Sequence, residues 1–506
     1  MCPPLQSLRA SPLLSLSNEP PEYSVEADLQ RFPLLLTRLA ENSLVVAESL
    51  KDNYFKNTAH FVGHLRQTLV EYRAGLRSEP ICQVYPVNAP DWSQLQGEVV
   101  TFIDGGVGQV NLASRVPLLL RVGSYTVRTG DRQLSTRERF GYYPVILGDL
   151  EGGSRERSDF VDIVRITAEL IGGLSALQRE PNLGVLMFHG PLVYPMSKYA
   201  GHTPFTESDI DLFLDRYALD RTMAAQLKQD FLREAELDLY PQLTDHSDEW
   251  VRRRVFEPLS WIAFLYRRLI ALARSRTPTP LIVGVIERGT SREFCEKVLL
   301  RRVFRGLRAN GRGDYFNALY GRRDLTSPKA VMDRLGYTDA LLLSTLLEAG
   351  QYSEPWQVRK AENLQAEDLC LPGESGPMRV NFPALRSEKI GFPVVQAAYV
   401  RAAETAEPVR IEVFEALGAN QIPEAARRAV LYSRLLPGYC FPVGIDIADK
   451  YAHIPAWLTR AYGKLIQLHL GVSLQRGEIS DAEMRRLLVQ SIYMTKRDWL
   501  FRPQVF

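Results

Sequence analysis

The segment Val99–Val100–Thr101–Phe102–Ile103–Asp104–Gly105–Gly106 constrains the fold most, because a short apolar run leads directly into a carboxylate and two glycines. Such a run reads as a buried strand. The glycines let the backbone turn sharply and leave space beside the carboxylate for a ligand, as a metal-binding acid requires. An ordinary strand closing in an Asp-Gly turn has the same signature. A second strand, Leu183–Gly184–Val185–Leu186–Met187–Phe188, closes likewise on His189–Gly190–Pro191–Leu192. Two strands are thus expected to present ligand-capable groups at their C-terminal ends.

Between them, Phe160, Ile163, Val164, Thr167, Leu170, Ile171 and Leu174 follow the spacing of an amphipathic helix over 159–179. Asp162, Arg165 and Glu169 occupy its other stripe, where a solvated Arg165–Glu169 pair is the plain alternative, worth only a few tenths of a kcal/mol. Near the C-terminus, the run from Gly438 to Ala452 begins another helix with acids at Asp446 and Asp449. Both serve equally well as first-turn acids favoured by the helix dipole.

Strand–Asp, helix–Glu, strand–polar residue and late helix–Asp, in this order, resemble the catalytic layout of ribonuclease-H-like nucleases. The surrounding residues resemble one family, NurA, whose members are DNA end-processing nucleases. The matching pieces are Phe102–Gly106, Arg165 to Glu169, Phe188–Leu192, the strand Leu281–Ile286, Thr338–Leu342 with Gly350 and Ser353, and the run Tyr439 to Ala452. Each piece is weak alone, and their shared order and spacing make the set specific. In the family pattern an Asp stands where this chain has His189, a Tyr where it has Phe441 and a His where it has Asp449, and the strand that usually ends in Lys ends in Glu287–Arg288. Imidazole and carboxylate both ligate manganese, so His189 and Asp449 exchange ligand types. The His removes a negative charge, and Phe441 donates no hydrogen bond.

The resemblance implies an α/β fold with a ribonuclease-H-like mixed central sheet flanked by helices, N-terminal helices and an inserted helical arm. It implies Mn²⁺ or Mg²⁺ held by Asp104, Glu169, His189 and Asp449, with Asp104 and Glu169 catalytic and Asp446 as a substitute ligand. The implied activity is DNA phosphodiester hydrolysis in double-strand break end resection and repair, by a homodimer working with a hexameric HerA-type ATPase. A catalytically weakened or inactive NurA-like adaptor, docked on the ATPase and DNA, is the alternative to which His189 and Phe441 point. A metal-dependent hydrolase of another substrate is a third reading, opposed by the basic segment described next.

With a net charge of +2 over 506 residues, affinity for nucleic acid has to come from local patches. Lys297, Arg301, Arg302, Arg305 and Arg308, followed by Arg312, Arg322 and Arg323, are interleaved with Phe304, Tyr315, Phe316 and Tyr320. That mixture suits phosphate binding and base stacking, although a solvated basic helix face has the same pattern. Arg252–Arg254 and the tail Lys496–Arg502 add basic residues, the tail being a possible docking element. No apolar run reaches membrane-spanning length, the N-terminus lacks signal-peptide features, and five scattered cysteines form no disulfide or metal-ligand pattern. A cytoplasmic protein is expected. Composition shifts divide the chain into an N-terminal segment with helices and a linker (1–96), a first core half (97–200), a helical insertion suited to dimerisation (201–278), a second core half (279–460) and a helical tail (461–506). Thr129 to Ser158 reads as a long loop.

Overall fold

The computed structural model describes residues 34–60, 62–63, 82–88, 91–109, 118–133, 139–141, 145–147, 154–194, 210–211, 214–215, 221–234, 258–287, 289–358, 370–373, 376–379, 392–418 and 421–494. Two compact units are present, residues 68–480 and residues 1–67 with 481–506. In the smaller unit the helix Leu35–Ser49 continues into a π-helical segment, Leu50–Phe55, and Ala482–Met494 is helical. Arg252–Arg254 and Lys496–Arg502 lie outside the described residues. Among the described residues no helix is long and apolar enough to cross a membrane.

The larger unit is built on one sheet of eleven strands. These are β1 (Val84–Pro86), β2 (Val99–Gln109), β3 (Leu118–Arg128), β4 (Arg139–Gly141), β5 (Val145–Leu147), β6 (Leu183–His189), β7 (Leu281–Ile286), β8 (Gln351–Ser353) and β9 (Trp356–Val358), and, after a separate two-stranded ribbon of β10 (Cys370–Gly373) and β11 (Gly376–Arg379), β12 (Val395–Arg401) and β13 (Val409–Phe414). Nine follow the spatial order β1-β8-β12-β13-β7-β6-β2-β3-β4, with β5 also beside β3 and β9 beside β12. Among the described residues only the β2–β6 and β6–β7 pairs are parallel. This is the expected α/β architecture, a mixed sheet flanked by helices, and the order and sense of β4-β3-β2-β6-β7 are consistent with a ribonuclease-H-like sheet. β6, β7 and β13 are central, which explains their nearly continuous apolar character. Arg410 and Glu412 on β13 break it, and both are buried.

Helix α1 (Ser154–Arg179) covers one face. Its Gly172 lies against Val122, and its Gly173 lies against Phe188 and against Leu269 of α2 (Pro258–Arg274). Trp261, Phe264 and Tyr266 of α2 are buried, so this part of the expected insertion forms core as well. The opposite face buries Val100, Phe102, Met187, Val283 and Ile411 under α3 (Gln421–Ser433) and α4 (Val443–Ala452).

Three expectations change. Val84–Pro86, in the expected linker, pairs with β8 as an edge strand, and Tyr85 stacks on Tyr352 at 5.3 Å between ring centroids. The expected loop at 129–158 contributes β4 and β5, both paired to β3. These strands are three residues long, too short to show periodicity.

The third change concerns the glycines after Asp104. β2 does not turn there: it stays paired with β3 as far as Gln109↔Leu118. The space the glycines leave is filled by protein. A Cβ at Gly106 would meet the Ala452 carbonyl oxygen at 2.0 Å, and one at Gly123 would meet that of Ala448 at 2.3 Å. Backbone on backbone, α4 therefore lies directly on the β2–β3 ribbon. Gly123→Ala is expected to push α4 outward at a cost of about 1–3 kcal/mol, read as a lower denaturation midpoint. An unchanged midpoint would mean that α4 is not seated this closely.

Candidate functional site

The glycine seat brings four elements to one point. β2 and β6 run parallel up to Ile103↔Phe188, after which β6 ends at His189 while β2 continues. Asp104 stands at that divergence on the face covered by α4, which carries Asp449. Ligand atoms of Asp104, His189 and Asp449 all lie within 4.8 Å of one another. His189 Nδ1 is 3.2 Å from Asp104 Oδ2, and the ring meets buried Phe441 edge-on at 5.3 Å. The second Asp104 oxygen, Oδ1, accepts the Gly105 N–H at 2.8 Å. Phe441 thus orients the imidazole through packing.

Glu169 approaches from the other side of the sheet. A Cβ at Gly105 would come within 2.5 Å of Glu169 Oε1, so this glycine admits a carboxylate. Glu169 is buried, and Arg165 Nη1 donates to its Oε1 at 2.9 Å and to Tyr194 Oη at 3.0 Å. The Arg165 guanidinium also lies over the Tyr194 ring, 4.9 Å from its centroid. The expected Arg165–Glu169 pair is real but largely enclosed, rather than a solvated stripe.

Charge in this cluster is poorly neutralised. Burial pushes Glu169 up to about 7, Arg165 opposes the rise and Asp104 adds to it. Asp449 is raised by burial and by hydrogen bonding to Asp104. Burial lowers His189, but the hydrogen bond and charge of Asp104 outweigh it and leave the imidazole above its usual value. Carboxylates crowded this closely disfavour full ionisation unless a cation sits among them. Two carboxylates and an imidazole, with a third carboxylate adjacent, form a donor set that fits Mn²⁺ and, less well, Mg²⁺. Asp446 is not in the cluster, since its Oδ2 receives Lys450 Nζ at 2.8 Å on the same helix.

The basic segment folds into a short π-helical turn, Cys295–Leu299, and α-helix Leu300–Ala309. Lys297, Arg301, Arg305 and Arg308 line an open cleft of about 580 Å³ with Ser327 and Lys329. Arg301 and Arg305 are exposed. Arg302 instead turns to Glu354, with Nη1 2.6 Å from Oε1. Lys297 is shared with Glu293 at 3.0 Å, and Arg308 reaches the Thr326 carbonyl at 3.3 Å. Phe304 and Phe316, expected as stacking surfaces, stack on each other in the core, centroids 5.0 Å apart. Lys329 was not foreseen, because it enters from a different helix, Pro328–Leu335.

The segment 338–342 has a structural role. Buried Asp339 accepts from the backbone N–H groups of Phe294 (3.0 Å) and Cys295 (2.8 Å) and from Tyr399 Oη (3.1 Å), anchoring the start of the basic helix to β12.

The NurA domain matches residues 98–454 of the chain. No curated protein sequence matches it. Among solved structures, the NurA nuclease from Sulfolobus solfataricus shares 13% identity, covering 85% of this chain and 97% of that one at a TM-score of 0.44. A NurA structure with manganese shares 13% identity over 78% of this chain and 95% of that one at 0.35. Another, bound to dAMP and manganese, shares 13% over 84% and 93% at 0.33. These likenesses are distant. The domain match spans more than two-thirds of the sequence and takes in Asp104, Glu169, His189 and Asp449, and on it the chain belongs to the NurA family.

Proposed function

We propose that this chain is a metal-dependent DNA nuclease of the NurA type, in which Asp104, Glu169, His189 and Asp449 hold Mn²⁺ or Mg²⁺. The observation that carries this reading is the convergence of donor atoms from β2, β6 and α4 within 4.8 Å. A divalent ion there would supply an activated water and neutralise charge on a scissile phosphate. Asp104 from β2 and Asp449 from α4 would supply carboxylate oxygens to it, and His189 a neutral donor. Glu169, whose Oε1 is held by Arg165, would offer its other oxygen to the ion. Lys297, Arg301, Arg305 and Arg308, with Lys329, bind DNA phosphates, while Arg302 acts through the fold. β7 runs parallel to β6, so the chain leaves β7 for this basic helix at the same end of the strands that carries His189.

The remaining parts of the reading rest on family membership. The nuclease works as a homodimer with a HerA-type hexameric ATPase in double-strand break end resection, in the cytoplasm. Its core comprises residues 97–200 and 279–460, with 201–278 inserted between them.

Incubating labelled linear DNA with the protein and Mn²⁺, Mg²⁺ or EDTA tests the activity. Cleavage with either ion and none in EDTA is expected. No cleavage of single- or double-stranded DNA by folded protein would favour the adaptor reading. Binding is also expected to be pH-dependent. Only deprotonated groups ligate a metal, and burial pushes Glu169 up to about 7 while the Asp104 carboxylate holds His189 above its ordinary value. Mn²⁺ affinity should therefore fall steadily as pH drops from about 8 to 6. A flat profile by calorimetry would remove both residues from the ligand set.

Substituting Arg301 and Arg305 by Gln is expected to weaken binding of DNA of any sequence and to lower the slope of log affinity against log salt by up to about two, one unit for each lost phosphate contact. An unchanged slope in a fluorescence-anisotropy titration would assign the cleft to another partner.

A further inference from the structure

β13 carries two charges in the middle of the sheet, and they have no part in the site as described so far. Glu412 and Arg410 are two residues apart on one strand and therefore share a face. They are 1% and 3% exposed. Glu412 Oε1 receives Arg410 Nη2, and Arg410 lies over the Trp356 ring, 5.4 Å from its centroid. Burying such a pair is costly and seldom adds net stability over apolar residues of similar size, so its position matters more than its strength.

The other oxygen of Glu412 has one target among the described residues. Oε2 accepts the Leu192 backbone N–H at 2.8 Å. Leu192 ends the turn that starts at His189, and that turn crosses β7 before reaching β13. Gly284, opposite Glu412 in the β7–β13 register, makes the crossing possible. A Cβ at Gly284 would lie 2.8 Å from the Gly190 carbonyl oxygen and 3.0 Å from Leu192 N. At its near end the turn is tied by the Gly190 N–H to the Val285 carbonyl at 2.8 Å. His189 is thus followed by a turn fixed at one end by backbone and at the other by a buried carboxylate two strands away.

We propose that Glu412, with Arg410 as its counter-ion, is a positioning residue that fixes the His189 turn and so pre-orients the imidazole toward Asp104 and Asp449. The proposal rests on the reading of His189 as a ligand. Loss of a group that hydrogen-bonds a metal ligand typically weakens metal binding about 10- to 100-fold, and Glu412 acts one step further out, through the turn that carries His189.

Two double variants separate positioning from bulk stability. R410M/E412L removes both charges and the acceptor, whereas R410M/E412Q removes the charges and keeps an oxygen for the Leu192 N–H. Two readouts are taken on the full chain: Mn²⁺ affinity by calorimetry, and the metal-free imidazole ¹H–¹⁵N spectrum of His189, assigned with His189→Gln. R410M/E412L is expected to bind Mn²⁺ about 10- to 100-fold more weakly and to shift the His189 resonances toward those of a solvated imidazole. R410M/E412Q should restore both to near wild type. Should R410M/E412L lose cooperative unfolding, Glu412→Asp takes its place with the same expectations, since it keeps the charge but draws the carboxylate back by one bond. Wild-type spectra and affinity in both variants would overturn the proposal. If the wild type binds no Mn²⁺, the reading of the site fails, and the metal-free spectra still decide whether Glu412 positions His189.

Discussion

Asp104→Asn is expected to weaken Mn²⁺ binding by more than about a hundredfold, because even outer partners of metal ligands cost that much when lost. DNA hydrolysis should fall at least as far. The change is nearly isosteric, and Asp104 lies in a crowd of like charges with Glu169 and Asp449. Removing one of these charges relieves repulsion in the metal-free protein, so its melting temperature should hold or rise. A fall in activity together with a fall in stability would instead make Asp104 a structural carboxylate paired with His189. Retained hydrolysis would remove Asp104 from the mechanism.

The largest loss of stability is expected at Asp339. Asp339→Ala leaves two backbone N–H groups and the Tyr399 hydroxyl without their buried acceptor. Each orphaned group costs about 1–3 kcal/mol. These costs are not additive, and a total loss of about 3 kcal/mol or more is expected, measured by urea unfolding. Asp339→Asn keeps one acceptor oxygen and should lose less. If Asp339→Ala costs under about 1 kcal/mol, the start of the basic helix is not anchored by this carboxylate.

The parts of the site legible in the sequence were those that depend on local pattern. β2, β6 and β7 are short apolar runs, and α1 has helical spacing over about four turns, so Asp104, His189 and Glu169 could be placed on their elements. Asp449 was named through the family resemblance, because nothing local distinguishes it from Asp446. Tertiary structure separates them, with the glycine seat turning Asp449 toward Asp104, while Asp446 pairs with Lys450 one turn along the same helix. That seat was misread. Two glycines after an acid resemble a turn, and only the tertiary packing shows what they admit: Gly106 the backbone of α4, more than 300 residues later in the chain, and Gly105 the Glu169 side chain.

The basic segment divides in the same way. Lys297, Arg301, Arg305 and Arg308 recur at three- and four-residue steps and share one helix side, as their spacing indicates. Arg302 sits one residue off that row, and its partner Glu354 comes from the turn between β8 and β9. Arg410 and Glu412 left a visible signal, two charges at alternate positions in an apolar strand. Their role depends on the His189 turn, 220 residues earlier in sequence.

Anomalous diffraction from a crystal grown with Mn²⁺ tests the central claim most directly. A manganese peak about 2.0–2.3 Å from oxygens of Asp104, Glu169 and Asp449 and a nitrogen of His189 is expected. A fully occupied manganese elsewhere in an active enzyme, with the Asp104–His189 contact unchanged, would contradict it.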